Sequence, residues 1–210
     1  MPEAEQCCNP AEIPKRLSNI EVIKMPDGTK VTCASLWADQ PVLLCMFRRW
    51  GCGICRMSAA NISAAAPLLA NKNVKIIGFG VEALGFEEFY KGKYFSGDLY
   101  VDTETKAYAA LELRKNSWRN LWGLLGGNIM DLFDLSKKKG FENNLKGNIS
   151  QLGGTFLIMP DGSVPYSHFQ SKDSFEPDLL KVMEVLGLIP PTDYEMYPSY
   201  ATCQNRAACK

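Results

Sequence analysis

Apolar and polar residues alternate through "IEVIKMPDGTKVTCASLW", residues 20–37, and the alternation breaks at Asp27-Gly28. A period of two around an Asp-Gly pair predicts a β-hairpin. "PVLLCMF", 41–47, is instead an unbroken apolar run, the pattern of a strand buried on both faces. From Ile54 to Asn71 the chain is rich in Ala, Met and Leu and predicts a helix, with a kink expected near Pro67. "VKIIGFGV", 74–81, repeats the buried-strand pattern. A short helix around "EALGFEEFY", an apolar "DLYVD" and a helix over "KAYAALEL" follow. "GTFLIMPDGSVPYSHFQ", 154–170, predicts a second hairpin that turns at Pro160-Asp161-Gly162. "EPDLLKVMEVLG" is an amphipathic helix expected to stop at Gly187, before Pro190-Pro191.

Strand, helix, strand, helix, then hairpin and helix is an α/β layer arrangement. The second hairpin would add antiparallel strands to an otherwise parallel sheet, giving a mixed sheet, and there is no internal repeat. The plan divides the chain into a flexible lead-in over 1–15, one domain over 16–190 and a tail over 191–210. Within the domain, 114–152 stands out as a helical insertion. It concentrates Trp118, Trp122, Leu124, Leu125, Ile129, Met130, Leu132 and Phe133 between glycines. Such an insertion is expected to pack a helix over a sheet edge; the alternative is a wall for an apolar ligand groove.

Composition narrows the partners. At 210 residues, 46% hydrophobic and 22% charged, the chain is long enough for one sizeable core. Lys+Arg 23 equals Asp+Glu 23, so no basic field is available to recruit nucleic acid or an anionic membrane. "MPEAEQCCNPAEIPKR" has no apolar stretch of the secretory kind and no Gly after Met1, and no apolar run approaches the ~20 residues of a membrane span. Eight cysteines without an export signal are expected in a reducing compartment, the cytosol, where paired thiols are redox-active or metal-binding more often than structural.

Cys52 and Cys55 form a Cys-x-x-Cys in "CMFRRWGCGICRMSAA", between the first buried strand and the helix that follows it. A cysteine at a helix start meets unpaired N–H groups and the positive end of the macrodipole, which favour thiolate over thiol. Arg48, Arg49 and Arg56 add cationic charge in the same sense. A zinc site would need four ligands; His168 is the one histidine, there is no second Cys-x-x-Cys, and Cys203 and Cys209 are poorly spaced for it. A purely structural disulfide would close almost no loop and stabilise little. The pair therefore reads as a redox centre.

The order hairpin, "LWADQPVLLCMFRRWGCGICR", "KIIGFGVEALG", "YFSGDLYVD", "GGTFLIMPDGSVPYSHF" resembles the peroxiredoxin-like branch of the thioredoxin superfamily over roughly residues 16–190. Within that branch it is similar to the prostamide/prostaglandin F synthase family. The resemblance implies a three-layer thioredoxin-like fold and an enzyme of prostaglandin biosynthesis within lipid and fatty acid metabolism. Such an enzyme reduces the endoperoxide of prostaglandin H2, or of its ethanolamide, to the F-type product. It holds no tightly bound cofactor; electrons come from reduced thioredoxin and, behind it, NADPH. Its partners would be thioredoxin and a small lipid endoperoxide or peroxide.

Peroxiredoxins carry Pro-x-x-x-Thr-x-x-Cys at this loop. That pattern places the proline on Arg48, the threonine on Cys52 and the peroxide-attacking cysteine on Cys55. Thioredoxin-type enzymes instead attack with the first cysteine, here Cys52, the expected nucleophile from its place at the helix start. Two other readings stand beside this one: a general hydroperoxide or protein-disulfide reductase, and a redox-responsive interaction protein without turnover.

The remaining features read as structural. Gly78-x-Gly80 lacks the third glycine of a dinucleotide loop, Ala83 standing in its place, and is read as a tight strand-to-helix turn. His168 is expected to be a strand histidine making one hydrogen bond, and Arg114 and Arg119 ordinary surface arginines. Cys33 and Cys45 fall in strand-like runs and are expected to be buried and inert. Cys7, Cys8, Cys203 and Cys209 are expected to be mobile, exposed thiols.

Overall fold

The structure, a computed structural model, describes residues 8–113, 115, 127–144, 146–171 and 174–189, the backbone alone for 127–129. The first hairpin forms as expected: β1 (Glu21–Met25) and β2 (Lys30–Thr32) are antiparallel, and the Asp27 side chain accepts the Thr29 N–H at 2.8 Å to hold the turn. The two continuous apolar runs become β3 (Val42–Met46), buried at every position, and β4 (Lys75–Gly80). β5 (Asp98–Val101) extends the parallel run, β6 (Gly154–Ile158) and β7 (Tyr166–Phe169) form the second hairpin, and the sheet order is β2-β1-β5-β4-β3-β6-β7. β3, β4 and β5 are parallel; β1 joins β5, and β6 joins β3, antiparallel. The sheet is mixed, as expected.

Helices cover both faces. On one, α1 (Ile13–Leu17), a 3-10 turn over Cys33–Leu36 and α4 (Lys106–Ala110) bury Ile13, Leu17, Cys33 and Tyr108 against Leu44, Ile77 and Phe79. On the other, α2 (Gly53–Ala70), α3 (Phe86–Lys91) and α6 (Leu179–Val185) share one core with Leu43, Cys45, Ile76 and Leu157, and α5 (Gly127–Lys138) joins it against α2. This is the expected three-layer α/β arrangement.

Four expectations are corrected. The lead-in of 1–15 is not loose from Cys8 onward: Pro10–Glu12 and α1 are helical, Asn9 caps the first turn, and Ile13 and Cys8 are buried. Burial also raises the Cys8 pKa, so this thiol is not the exposed one its polar surroundings suggested. Gly78 and Gly80 lie inside β4, not in a turn; a Cβ at Gly80 would collide with the Trp50 ring, and one at Gly78 with Leu99 and Phe47. The turn into α3 is made at Gly85, with φ +86°. Finally, α5 packs on α2 and not over a sheet edge, with Leu132 in the shared core. Trp118, Trp122, Leu124, Leu125, Arg114, Arg119, Cys7, Cys203, Cys209 and the residues from 190 on lie outside the described residues, as does the Ile129 side chain.

Candidate active site

β3 ends at Met46, and the chain turns through Phe47–Gly51 into α2, leaving Cys52 as its N-cap, in extended conformation. This turn is fixed from three sides. The Tyr108 hydroxyl, on α4, donates to the carbonyls of Phe47 and Phe79, at 2.7 and 3.0 Å, at the ends of β3 and β4. α4 is itself held by Asp102, whose carboxylate accepts the N–H groups of Lys106, Ala107 and Tyr108. Trp50, fully buried, fills the space above Gly80, packs edge-on against Phe86 and donates its indole N–H to the Glu82 carbonyl at 2.6 Å.

The third side is a strap, residues 141–144 and 146–148, inside the expected insertion. The Asn143 side-chain oxygen accepts the Gly53 N–H at 3.1 Å, an unpaired donor of the first turn of α2. The Asn144 N–H donates to the Gly51 carbonyl at 2.8 Å. The loop has glycines where the strap crosses it: a Cβ at Gly51 would meet the Asn144 amide. Glu88 on α3 ties the strap down, accepting from Asn144 and from Lys146 at 2.8 and 2.6 Å.

Under this cover both sulfurs are buried and reduced, Cys52 with 0% and Cys55 with 4% of their surface exposed. Cys52 is buried although it stands at the helix start, because the strap closes over that end. The two thiols nevertheless differ. The Cys55 S–H and backbone N–H bond to the Cys52 sulfur, and Arg48 and Arg49 add positive charge; against burial, they hold Cys52 at about 5, far below an ordinary thiol. The same bond, burial and the Cys52 charge raise the Cys55 pKa. At neutral pH the pair is one thiolate and one thiol.

The three arginines divide. Arg48 lies beside the pair, donates to the Gln151 carbonyl at 3.3 Å and stacks over Phe175 at 4.9 Å. Arg49 donates to the Asn144 and Lys146 carbonyls of the strap while its charge still reaches Cys52. Arg56, expected to act on the cysteines, is instead taken up elsewhere. It donates to the Trp50 and Glu142 carbonyls at 3.0 Å each, lies over the Tyr94 ring and faces Glu88 at 3.5 Å. It anchors loop and strap.

Burial holds Cys33 up at about 12 and raises the Cys45 pKa, so both are inert thiols, as expected. His168 sits on β7 opposite Thr155, its ring bonding the Phe175 backbone, and burial lowers its pKa to about 4. Among the described residues no three His, Cys, Asp or Glu side chains gather as a metal site would require. No helix among them is long and apolar enough to cross a membrane.

Sequence reasoning missed Ser58 and Glu176. Ser58 on α2 bonds the carboxyl of Glu176, which is buried in the segment before α6. Neither residue type nor spacing marked them.

Residues 61–172 match the family model of the AhpC/TSA antioxidant enzymes, a match that begins beyond the two cysteines. The chain is 34% identical over 164 residues to the human prostamide/prostaglandin F synthase, covering 77% of this chain and 82% of that one. It is 31% identical over 180 residues to the prostamide/prostaglandin F synthase of Salmo salar, covering 83% and 90%. Among solved structures, the bacterioferritin comigratory protein of Xanthomonas campestris superposes with a TM-score of 0.56 at 13% identity, covering 83% of this chain and 92% of that one. The Mycobacterium tuberculosis peroxidoxin BcpB superposes at 0.51 and 15% identity, covering 80% and 89%, so the fold is the thioredoxin-like fold of peroxiredoxins. The chain is an oxidoreductase of the AhpC/TSA family, on the peroxiredoxin-like branch that holds the prostamide/prostaglandin F synthases.

Proposed function

We propose that this protein is a thioredoxin-dependent dithiol reductase that converts the endoperoxides of prostaglandin H2 and its ethanolamide to F-type products in the cytosol. What carries the reading is the pairing of two buried, unlike thiols at the start of α2: Cys52, the N-cap, is held far below an ordinary thiol, and Cys55, in the first turn, is raised above one. The curated relatives named above supply the substrate class.

The Cys52 thiolate attacks one endoperoxide oxygen; an S–O bond forms, the O–O bond breaks, and the departing alkoxide takes a proton. The sulfur of Cys55, losing its proton, then attacks Cys52; the S–S bond forms and the S–O bond breaks. The second oxygen leaves as a hydroxyl. Two electrons have passed from the dithiol to the substrate, and thioredoxin, recharged by NADPH, restores the pair. The Arg48 guanidinium, whose charge acts on both sulfurs, is the group we assign to stabilise negative charge on oxygen. No bound cofactor takes part in these steps.

The test is NADPH consumption with thioredoxin and its reductase, comparing prostaglandin H2, hydrogen peroxide and no substrate, together with Cys52→Ser and Cys55→Ser. Cys52→Ser should abolish even single-turnover reduction, whereas Cys55→Ser should lose only recycling. Equal turnover of hydrogen peroxide would make the protein a general peroxide reductase. A dithiol that turns over with neither substrate would favour the redox-responsive interaction role.

A further inference from the structure

Glu176 has no part in the steps above, yet it is a buried acid that feels the charge of Cys52. It lies between β7 and α6, two residues before Asp178, whose side chain caps α6. Only 9% of its surface is exposed, and its Oε1 is buried with no hydrogen-bond partner. From α2 the Ser58 hydroxyl bonds its carboxyl, and the charge of Cys52 acts on it through space. From the loop after β3, the Arg48 guanidinium stacks on the adjoining Phe175. From β7, the neutral His168 bonds the Phe175 backbone. Burial raises Glu176 to about 8; the Ser58 bond opposes this and the Cys52 charge adds to it.

The proton count of the reaction requires such a group. Opening a peroxide link into two hydroxyls takes two electrons and two protons. The reduced pair has both electrons but one proton, on Cys55, because Cys52 starts as thiolate. We propose that Glu176 holds the missing proton, releasing it toward the first alkoxide and regaining it from solvent when the disulfide is reduced. Oxidation removes the negative charge at Cys52, which eases ionisation of the nearby carboxyl; the returning thiolate reverses this. One buried negative charge thus alternates between Cys52 and Glu176. This inference rests on the dithiol reading of the preceding subsection.

The test is a redox titration of the Cys52–Cys55 pair in the full chain across pH, with Glu176→Gln and Ser58→Ala beside the wild type. Wild type should take up more than one proton per two electrons over a window that ends near pH 8, whereas Glu176→Gln should take up one throughout. Single-turnover endoperoxide reduction should fall in the wild type as pH rises through 8. In Glu176→Gln it should be slower on the order of 100-fold at pH 7, without that fall. Ser58→Ala removes the bond that favours the carboxylate and should move the window to higher pH, a readout that survives if Glu176→Gln misfolds. Equal proton uptake in wild type and Glu176→Gln, or an unmoved window in Ser58→Ala, overturns the assignment. A pair that never closes to a disulfide overturns the dithiol reading instead.

Discussion

Replacing Cys55 by alanine should raise the Cys52 pKa by about 1–2 units. The Cys55 bond is the largest of the forces that hold Cys52 at about 5; the positive charges of Arg48 and Arg49 come after it. A hydrogen bond to a charged group contributes about 1.5–3 kcal/mol. At about 1.4 kcal/mol per pKa unit, its loss moves the midpoint to between about 6 and 7, still below an ordinary thiol because the arginines remain. Cys55→Ser keeps an O–H donor and should shift Cys52 less. The assay is thiolate absorbance against pH, with alkylation mapped to Cys52 by mass spectrometry. Cys8, Cys33 and Cys45 should stay silent near neutrality, since burial raises all three. A wild-type midpoint near that of a free cysteine, or a midpoint that Cys55→Ala leaves in place, would refute the assignment of Cys52 as the standing thiolate.

Three further outcomes follow from the packing and charge around the pair. Glu88→Gln weakens the hold of α3 on Asn144 and Lys146 of the strap and on Arg56 of α2, and Cys52 alkylation should quicken by at most about fivefold with little change in melting temperature. Gly80→Ala forces a methyl group into the Trp50 ring and should cost about 1–3 kcal/mol by urea unfolding; adding Trp50→Phe, which shortens the ring, should restore part of it. His168 is held neutral, its folded pKa of about 4 below the unfolded 6.5, so its contribution is fully present above pH 6.5 and is lost as pH falls toward 4. His168→Gln should therefore flatten the acid side of the stability profile by up to about 1.4 kcal/mol per pH unit in that window, as read by denaturant titrations at pH 7 and 4.5.

Much of the sheet was legible because its strands carry local signals. "PVLLCMF" is apolar throughout and becomes a strand buried throughout, and Asp27-Gly28 and Pro160-Asp161-Gly162 both mark real hairpins. The cysteine pair was legible from spacing and from the strand before it. What was missed depends on distant partners. Glu176 in "SFEPDLL" reads as an ordinary acid near a helix start; it is buried because the segment after β7 folds back on α2. "FENN" reads as a solvent loop, yet Asn143 and Asn144 bond Gly53 and Gly51, about 90 residues earlier in the chain. Gly78 and Gly80 carry the composition of a turn, but their missing side chains make room for Phe47 and Trp50 across the sheet. Polar residues at a site are chosen by long-range contacts, and those leave no periodicity.

Which member of the pair carries the charge is set, by contrast, by groups close to it in the chain. The peroxiredoxin pattern that this loop resembles gives Cys55 the attacking place and Cys52 the place of a threonine. With a sulfur at the threonine position, the pair must choose which member keeps the proton. Arg48, at the proline position, lowers both thiols, so its charge alone does not choose. The Arg49 charge acts at Cys52 while its backbone N–H bonds the Cys55 sulfur, and Cys52 is the N-cap of α2, whereas Cys55 lies within the first turn. Those differences favour charge on Cys52, and the hydrogen bond from Cys55 then reinforces the choice. Reversing the order would require taking charge from Cys52 without taking it from Cys55. Arg49→Leu removes the more selective cation and should raise the Cys52 pKa more than it alters Cys55, at the cost of two bonds to the strap. A variant in which Cys55 became the faster alkylated thiol would show that the arginine, and not the helix end, sets the order of attack.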